Sequence, residues 1–218
     1  MALTTTGRAP LGPVRLLRFD SVQRAAHWVN AALFLTLIVT AIPLYFGSLF
    51  GVVMPRFTIE QIHLWVGIAL PVPIAVSLVG PWGRRMRRDV RRVSYWTRDE
   101  IAWLTSLGRT AIDADKYNPG QKLNTILVAA SIPVMLVTGV ILKWFSYFPL
   151  SWRAGSTFVH DVVAWLIVLD VIGHVVMVVT HRGSWTSMVR GTVSEPWAAT
   201  NAPRWLREED QTTGPPEP

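Results

Sequence analysis

Cysteine does not occur anywhere in these 218 residues. Its absence excludes disulfides, iron–sulfur clusters held by this chain, and covalent c-type haem attachment. Any metal centre must be held noncovalently, through His, Met or carboxylates. Charge is scarce too. Asp, Glu, Lys and Arg make up 16% of the chain, against about a quarter in an average soluble domain. Half of the residues are hydrophobic and they are not spread evenly, which points away from an ordinary water-soluble domain. No small-residue cleavage site follows a short apolar core near the N-terminus. The first apolar block is therefore expected to stay as an anchor rather than leave as a signal peptide. No internal repeat is visible.

What the chain does have is four apolar blocks, about residues 26–50, 62–82, 124–144 and 158–180. Each is roughly 20 residues, the length that ~30 Å of hydrocarbon requires of a helix. The expected fold is an all-α integral membrane protein, a four-transmembrane-helix bundle. Residues 1–20, with Gly7, Pro10, Gly12 and Pro13, read as a flexible lead. Residues 21–182 form the membrane domain. Residues 183–218 form a polar C-terminal segment whose Gln-Thr-Thr-Gly-Pro-Pro-Glu-Pro end reads as disordered.

The net charge of +7 is explained by its distribution. The stretches up to Arg24 and from Arg182 onward, together with the 84–122 connection, hold 18 of the 21 Lys and Arg; the exceptions are Arg56, Lys143 and Arg153. Basic segments stay on the cytoplasmic side, so both termini are expected there. Attraction to anionic membrane lipid accounts for the basicity, and no nucleic-acid partner is expected.

Several local signals stand out. Pro43 and Gly47 loosen the far end of helix 1. Pro71 and Pro73 kink helix 2, which either opens room for a flat ligand or tunes packing. The basic run at 84–92 serves topology, or pairs with acidic groups of a cofactor or a partner subunit. Thr97-Arg98-Asp99-Glu100 has the form of a capping box. Ile101, Leu104 and Leu107 then follow at helical spacing, with Gly108 as a stop, which predicts a short amphipathic helix on the membrane surface. Tyr117-Asn118-Pro119-Gly120-Gln121-Lys122 reads as a polar turn before helix 3.

The four histidines His27, His63, His160 and His174 lie inside or at the edges of these apolar blocks. Ionisable residues in lipid are costly and usually have a partner or a task. With the N-terminus inside, His27 begins the outward helix 1 and lies near the inner face. His63 and His160 begin the inward helices 2 and 4 and lie near the outer face. His174 follows His160 by 14 residues. That spacing is ~21 Å deeper and nearly four full turns, so both face the same way. Two pairs at matched depths result: His27 with His174 near the inner face, His63 with His160 near the outer.

Paired neutral imidazoles are suited to filling both axial positions of haem iron, which suits the metal to electron transfer rather than to binding oxygen or substrate. The expectation is two haem b groups with His27, His63, His160 and His174 as ligands to the haem iron. Arg24, one turn before His27, is a candidate propionate partner or an interfacial arginine. Asp170, one turn before His174, either orients a histidine or is a neutral, hydrogen-bonded acid. His181 reads as interfacial. The opposing reading is a haem-free membrane anchor or transporter, whose histidines pack or relay.

The motif Gln23-Arg24-Ala25-Ala26-His27-Trp28, the 117–122 segment and the His160–His174 spacing together resemble the cytochrome b (gamma) subunit of membrane-bound formate dehydrogenases. The resemblance covers about residues 15–190. The Arg-x-x-His-Trp element is also similar to that of the wider dihaem cytochrome b561-like family. The cytochrome b subunit of a nickel–iron hydrogenase or another molybdenum enzyme, and a stand-alone b561-like oxidoreductase, therefore stay open. The resemblance implies a membrane-anchoring electron-transfer subunit of a respiratory oxidoreductase. Electrons would come from an iron–sulfur subunit on the outer side and reach menaquinone or another quinone at the inner face. Substrate oxidation would belong to a separate catalytic subunit. It further implies Asn118, Gly120, Gln121 and His174 as quinone-site residues.

Overall fold

A computed structural model describes residues 15–47 and 54–213. The first long helix, α1 (Ser21–Tyr45), starts where a side chain can cap it. The Asp20 carboxylate accepts from the Gln23 backbone N–H at 2.9 Å, and the Gln23 side chain accepts from the Asp20 N–H at 3.0 Å. This reciprocal box satisfies two of the donors that every helix start leaves open. The second span is broken, as its prolines predict: α2 (Arg56–Ala69) ends at Leu70, and α3 (Val72–Leu78) restarts after Pro71. Proline removes a backbone donor and clashes with the preceding turn. The other two spans are α6 (Pro119–Lys143) and α7 (Leu150–Thr180), joined through a 3-10 turn at Phe145–Tyr147.

These spans, of 25, 23, 25 and 31 residues, are long and apolar enough to cross a membrane, and the chain is a multi-pass integral membrane protein. They pack as two antiparallel hairpins, α1 on α2/α3 and α6 on α7, with α2 touching α6. Their surfaces are inverted relative to a soluble bundle. Along α7, Leu166, Leu169, Ile172 and Val176 are all exposed. A continuous apolar face of this kind is compatible with hydrocarbon around it and not with water.

One buried hydrophobic cluster lies outside the spans. After α7 come α8 (Arg182–Arg190), β2 (Thr192–Ser194), α9 (Glu195–Asn201) and α10 (Pro203–Thr213). Strand β1 (Arg15–Leu17) pairs antiparallel with β2, Leu16 opposite Val193. Val193, Ala198, Ala202 and Trp205 are buried there, with Leu16, Trp197 and Leu206 against them. Gly191 makes the junction. Its φ of 82° is left-handed, its carbonyl accepts from the Arg18 and Phe19 N–H groups, and a Cβ there would meet the Phe19 carbonyl oxygen at 2.6 Å. The segments expected as a flexible lead and a polar tail are thus ordered against each other from residue 15 and up to residue 213. The first fourteen residues and the last five lie outside the described residues. The physical reason is the apolar payload of Leu16, Val193, Trp197 and Trp205. Trp205 is 2% exposed. Trp205→Ala is expected to cost ~3–5 kcal/mol of local stability. Faster protease cleavage of the C-terminal segment in detergent-solubilised protein is the readout, and wild-type cleavage kinetics would count against this packing.

Between α3 and α6 lie α4 (Arg84–Ser94) and α5 (Arg98–Thr105). The Thr97–Glu100 capping box forms, with Thr97 Oγ1 accepting from the Glu100 N–H and the Glu100 carboxylate accepting from the Thr97 N–H. Ile101 and Leu107 are exposed. From the basic run, Arg87 donates to the Leu78 and Gly80 carbonyls and closes the end of α3, while Arg92 pairs with Asp115 and Glu208. All these elements gather at the end of the bundle that carries β1 and α8–α10, called here the terminal end.

Candidate functional site

Each hairpin contributes histidines to a shared interior. At the far end, His63 near the start of α2 faces His160 near the start of α7, with ring centres 6.5 Å apart and ring planes at 57°. At the terminal end, His27 near the start of α1 faces His174 on α7, at 6.2 Å and 49°. A metal–imidazole bond is about 2 Å, which sets two axial rings roughly 6 Å apart, centre to centre. Ligation fixes the common axis and leaves the twist between the rings free, so both angles are compatible. Among the described residues no group of three or more His, Asp or Glu side chains could hold a metal ion. A pair of imidazoles suits a metal whose remaining donors come with it, as a porphyrin's do.

The two pairs sit in different surroundings. At the far end, the Thr40 hydroxyl of α1 is 2.8 Å from His63 Nδ1, and the Thr138 hydroxyl of α6 is 2.8 Å from His160 Nδ1. The backbone of Gly139 runs beside the His160 ring; a Cβ there would stand 3.6 Å from it. At the terminal end the His27 ring meets the edge of Trp28, which in turn meets Trp185 of α8. Arg24 donates to the Val189 carbonyl at 2.6 Å, and its Nε is buried without a partner. One turn after His27, the Asn30 side-chain oxygen is also buried and unpartnered. Polar atoms left this way call for a ligand or water.

A model of the prokaryotic cytochrome b561 family matches residues 18–191. The chain belongs to that family. As such, the cytochrome carries haem b, and the residue chemistry of both pairs fits it. The cytochrome is also similar to the nitrate-inducible formate dehydrogenase cytochrome b556(Fdn) subunit of Escherichia coli K12, at 28% identity over 201 residues, 88% of this chain and 91% of the relative. Its similarity to the formate dehydrogenase cytochrome b556(fdo) subunit of the same organism is 25% over 211 residues, 91% and 95% of the two chains. The formate dehydrogenase cytochrome b556 subunit of Haemophilus influenzae is 26% identical over 203 residues, 89% and 84%.

In this cytochrome the polar segment before the third span is a helix start rather than a turn. Asn118 caps α6: its side chain accepts from the Gln121 N–H at 2.9 Å, and Gln121 Oε1 accepts from the Asn118 N–H at 3.2 Å, with Pro119 in the first turn. The Asn-Pro-x-Gln spacing is itself a capping-box signal that the sequence reading passed over. Gln121 also lies 3.5 Å from a guanidinium nitrogen of Arg18. The Gln121 end of the segment therefore lies beside Arg18; among the described residues no hydrogen bond or ring contact joins His174 to Asn118 or Gln121.

Arg18 is buried, donating to the Lys116 carbonyl at 2.8 Å and to the Ser187 hydroxyl. Burial pulls its guanidinium down to about 10, with Tyr117 and Asp89 opposing the shift, so it stays positive near neutrality. Asp89 of α4 accepts from Gln23, Lys116 and the Tyr117 hydroxyl. Burial lowers the Lys116 ammonium from its ordinary value, and the Asp89 carboxylate works against that. Lys122 is fully buried and pairs with Glu100 at 2.7 Å. His181 is exposed at the C-cap of α7, near the Thr180 hydroxyl and the Met177 carbonyl. Sequence reasoning missed Thr40, Thr138, Asn30 and the Lys122–Glu100 pair. Threonine in an apolar helix ordinarily bonds its own preceding turn, so nothing local flags a second partner.

Proposed function

We propose that this cytochrome is the membrane-anchoring dihaem b subunit of a respiratory formate dehydrogenase in the bacterial inner membrane. It takes electrons from an iron–sulfur partner at the far end and delivers them to a quinone near the terminal end, while a further subunit oxidises the substrate. The observation that carries this reading is the pair of facing imidazole couples, 6.2 and 6.5 Å between ring centres, at opposite ends of one bundle. The names of the relatives support formate dehydrogenase as the complex. The concentration of basic residues at the terminal end supports placing both termini in the cytoplasm.

Bound between these rings, haem b supplies one-electron transfer. The chain's residues do the rest. His63 and His160 at one site, and His27 and His174 at the other, would hold the haem iron, and two histidines at each would leave no place on it for oxygen or substrate. Helix α7 supplies one ligand to each site, and its rigid rise sets their separation at ~21 Å. At the terminal end, the unpartnered Nε–H of Arg24 would be available to an anionic propionate.

The quinone site is assigned to Asn118, Gly120, Gln121 and His174. A Cβ at Gly120 would stand 3.3 Å from Asn118 Oδ1, so the glycine avoids crowding the capping side chain, and the side-chain amide N–H groups of Asn118 and Gln121 are the donors for a quinone oxygen. Gln121→Ala is expected to lower quinone-dependent turnover by about tenfold, the effect of losing one good hydrogen bond, while both haem spectra stay intact. Normal turnover would remove Gln121 from the site. The reading as a whole is tested by redox titration of the purified protein and by co-purification. Two b-type components and a stable iron–sulfur partner support it; protein without haem ends it.

A further inference from the structure

We propose that Thr40 and Thr138 are positioning residues for the far-end histidine pair: each hydroxyl accepts the Nδ1–H of the facing histidine and thereby turns the bare Nε2 lone pair towards the metal. The inference rests on the two-pair haem reading above and deepens it.

The argument turns on where one proton sits. Thr40 Oγ1 lies 2.8 Å from the Thr36 carbonyl oxygen, and Thr138 Oγ1 lies 2.7 Å from the Val134 carbonyl oxygen. Two oxygens at those distances repel each other unless a proton lies between them. A carbonyl has none to give, so each threonine hydroxyl donates to its own helix. Its oxygen still has a lone pair, and 2.8 Å away stands a ring nitrogen, His63 Nδ1 or His160 Nδ1. That second contact must be completed by a proton on the ring. A neutral imidazole carries one N–H. With it on Nδ1, Nε2 is the free donor to iron. A hydrogen bond to the non-ligating nitrogen is the usual way a metal-bound histidine is oriented, and it raises the basicity of the ligand.

The device appears twice in equivalent places. Thr40 and Thr138 each stand five residues before the last residue of the first helix of a hairpin, and each reaches a histidine on the second helix, roughly two to three turns from its start. The terminal-end pair has no counterpart: among the described residues neither His27 nor His174 is given a hydrogen bond. The two sites therefore differ in their ligands' electronic character. Greater ligand basicity favours oxidised iron, so the threonines lower the potential of the far-end site.

The test uses Thr40→Val and Thr138→Val, which keep the shape and remove the hydroxyl, beside Thr40→Ser and Thr138→Ser, which keep the hydroxyl and lose the methyl. Redox titration of the purified protein and electron paramagnetic resonance of its oxidised form are the readouts. In each valine variant one of the two midpoints moves upward, or that haem is lost, and its low-spin signal shifts. The other haem stays as in wild type, and the serine variants restore both. Valine variants with wild-type midpoints and signals overturn the proposal. So do serine variants as perturbed as the valine ones, because packing would then be the role. A wild-type protein lacking two b-type components would instead overturn the underlying haem assignment, which separates the two failures.

Discussion

Replacing His63 with alanine is expected to remove about half of the b-type absorbance per chain and to leave the remaining half titrating as before. His27→Ala should remove the other half, and the double variant all of it. The expectation follows from how the four rings are shared. His63 has one facing ring, His160, and His27 has one, His174. The two couples have only α7 in common, along which they are ~21 Å apart, and substitutions at such distances act independently. Either substitution would leave its haem held by a single histidine. His181→Ala serves as the control: that ring is exposed and bonded within the last turn of α7, so the spectrum should not change. Reduced-minus-oxidised spectra normalised to protein decide the matter. An unchanged spectrum in His63→Ala or His27→Ala would refute the pairing.

The largest stability effect is expected at the terminal end of the bundle. Lys122 in the first turn of α6 is fully enclosed, and its ammonium donates to Glu100 at 2.7 Å and to the Tyr95 carbonyl at 2.9 Å. Glu100 is 1% exposed. Its carboxylate also completes the α5 capping box and lies 3.5 Å from Arg204 of α10. Glu100→Ala removes the ion pair and the cap together and strands a buried positive charge. Breaking such a pair costs ~3–5 kcal/mol. In a chain of this size that lowers the thermal midpoint by on the order of 10 °C. The double variant Glu100→Leu/Lys122→Met should recover most of the loss, since no unpaired charge then remains. A single variant that melts with wild type, or a double variant that melts no higher than the single, would show that this contact does not hold the two helices together.

The same pair shows why part of this protein could not be read from its residues in order. In the sequence, Thr97 and Glu100 signal a helix start, and Lys122 is one of many basic residues on one side of the membrane. Only the fold sets the Glu100 carboxylate over the first turn of α6. The Asn118 box was visible in principle, as Asn-Pro-x-Gln, yet its polar composition also suits a turn. The C-terminal segment is polar on average, and average polarity hid Val193, Trp197 and Trp205, which pack only because Leu16 meets them from the other end of the chain.

Four apolar runs of membrane-crossing length, the break at Pro71 and the place of each histidine along its helix were set by the residues alone, because a helix rises a fixed distance per residue and hydrocarbon excludes unpaired backbone. Which atoms meet across helices was decided by the tertiary structure: Thr40 with His63, Thr138 with His160, Lys122 with Glu100, β1 with β2. Those contacts join positions tens of residues or more apart in sequence, and at a scale of 3 Å their geometry depends on how each helix is rotated and tilted against its neighbour. Periodicity along a single chain carries no record of that.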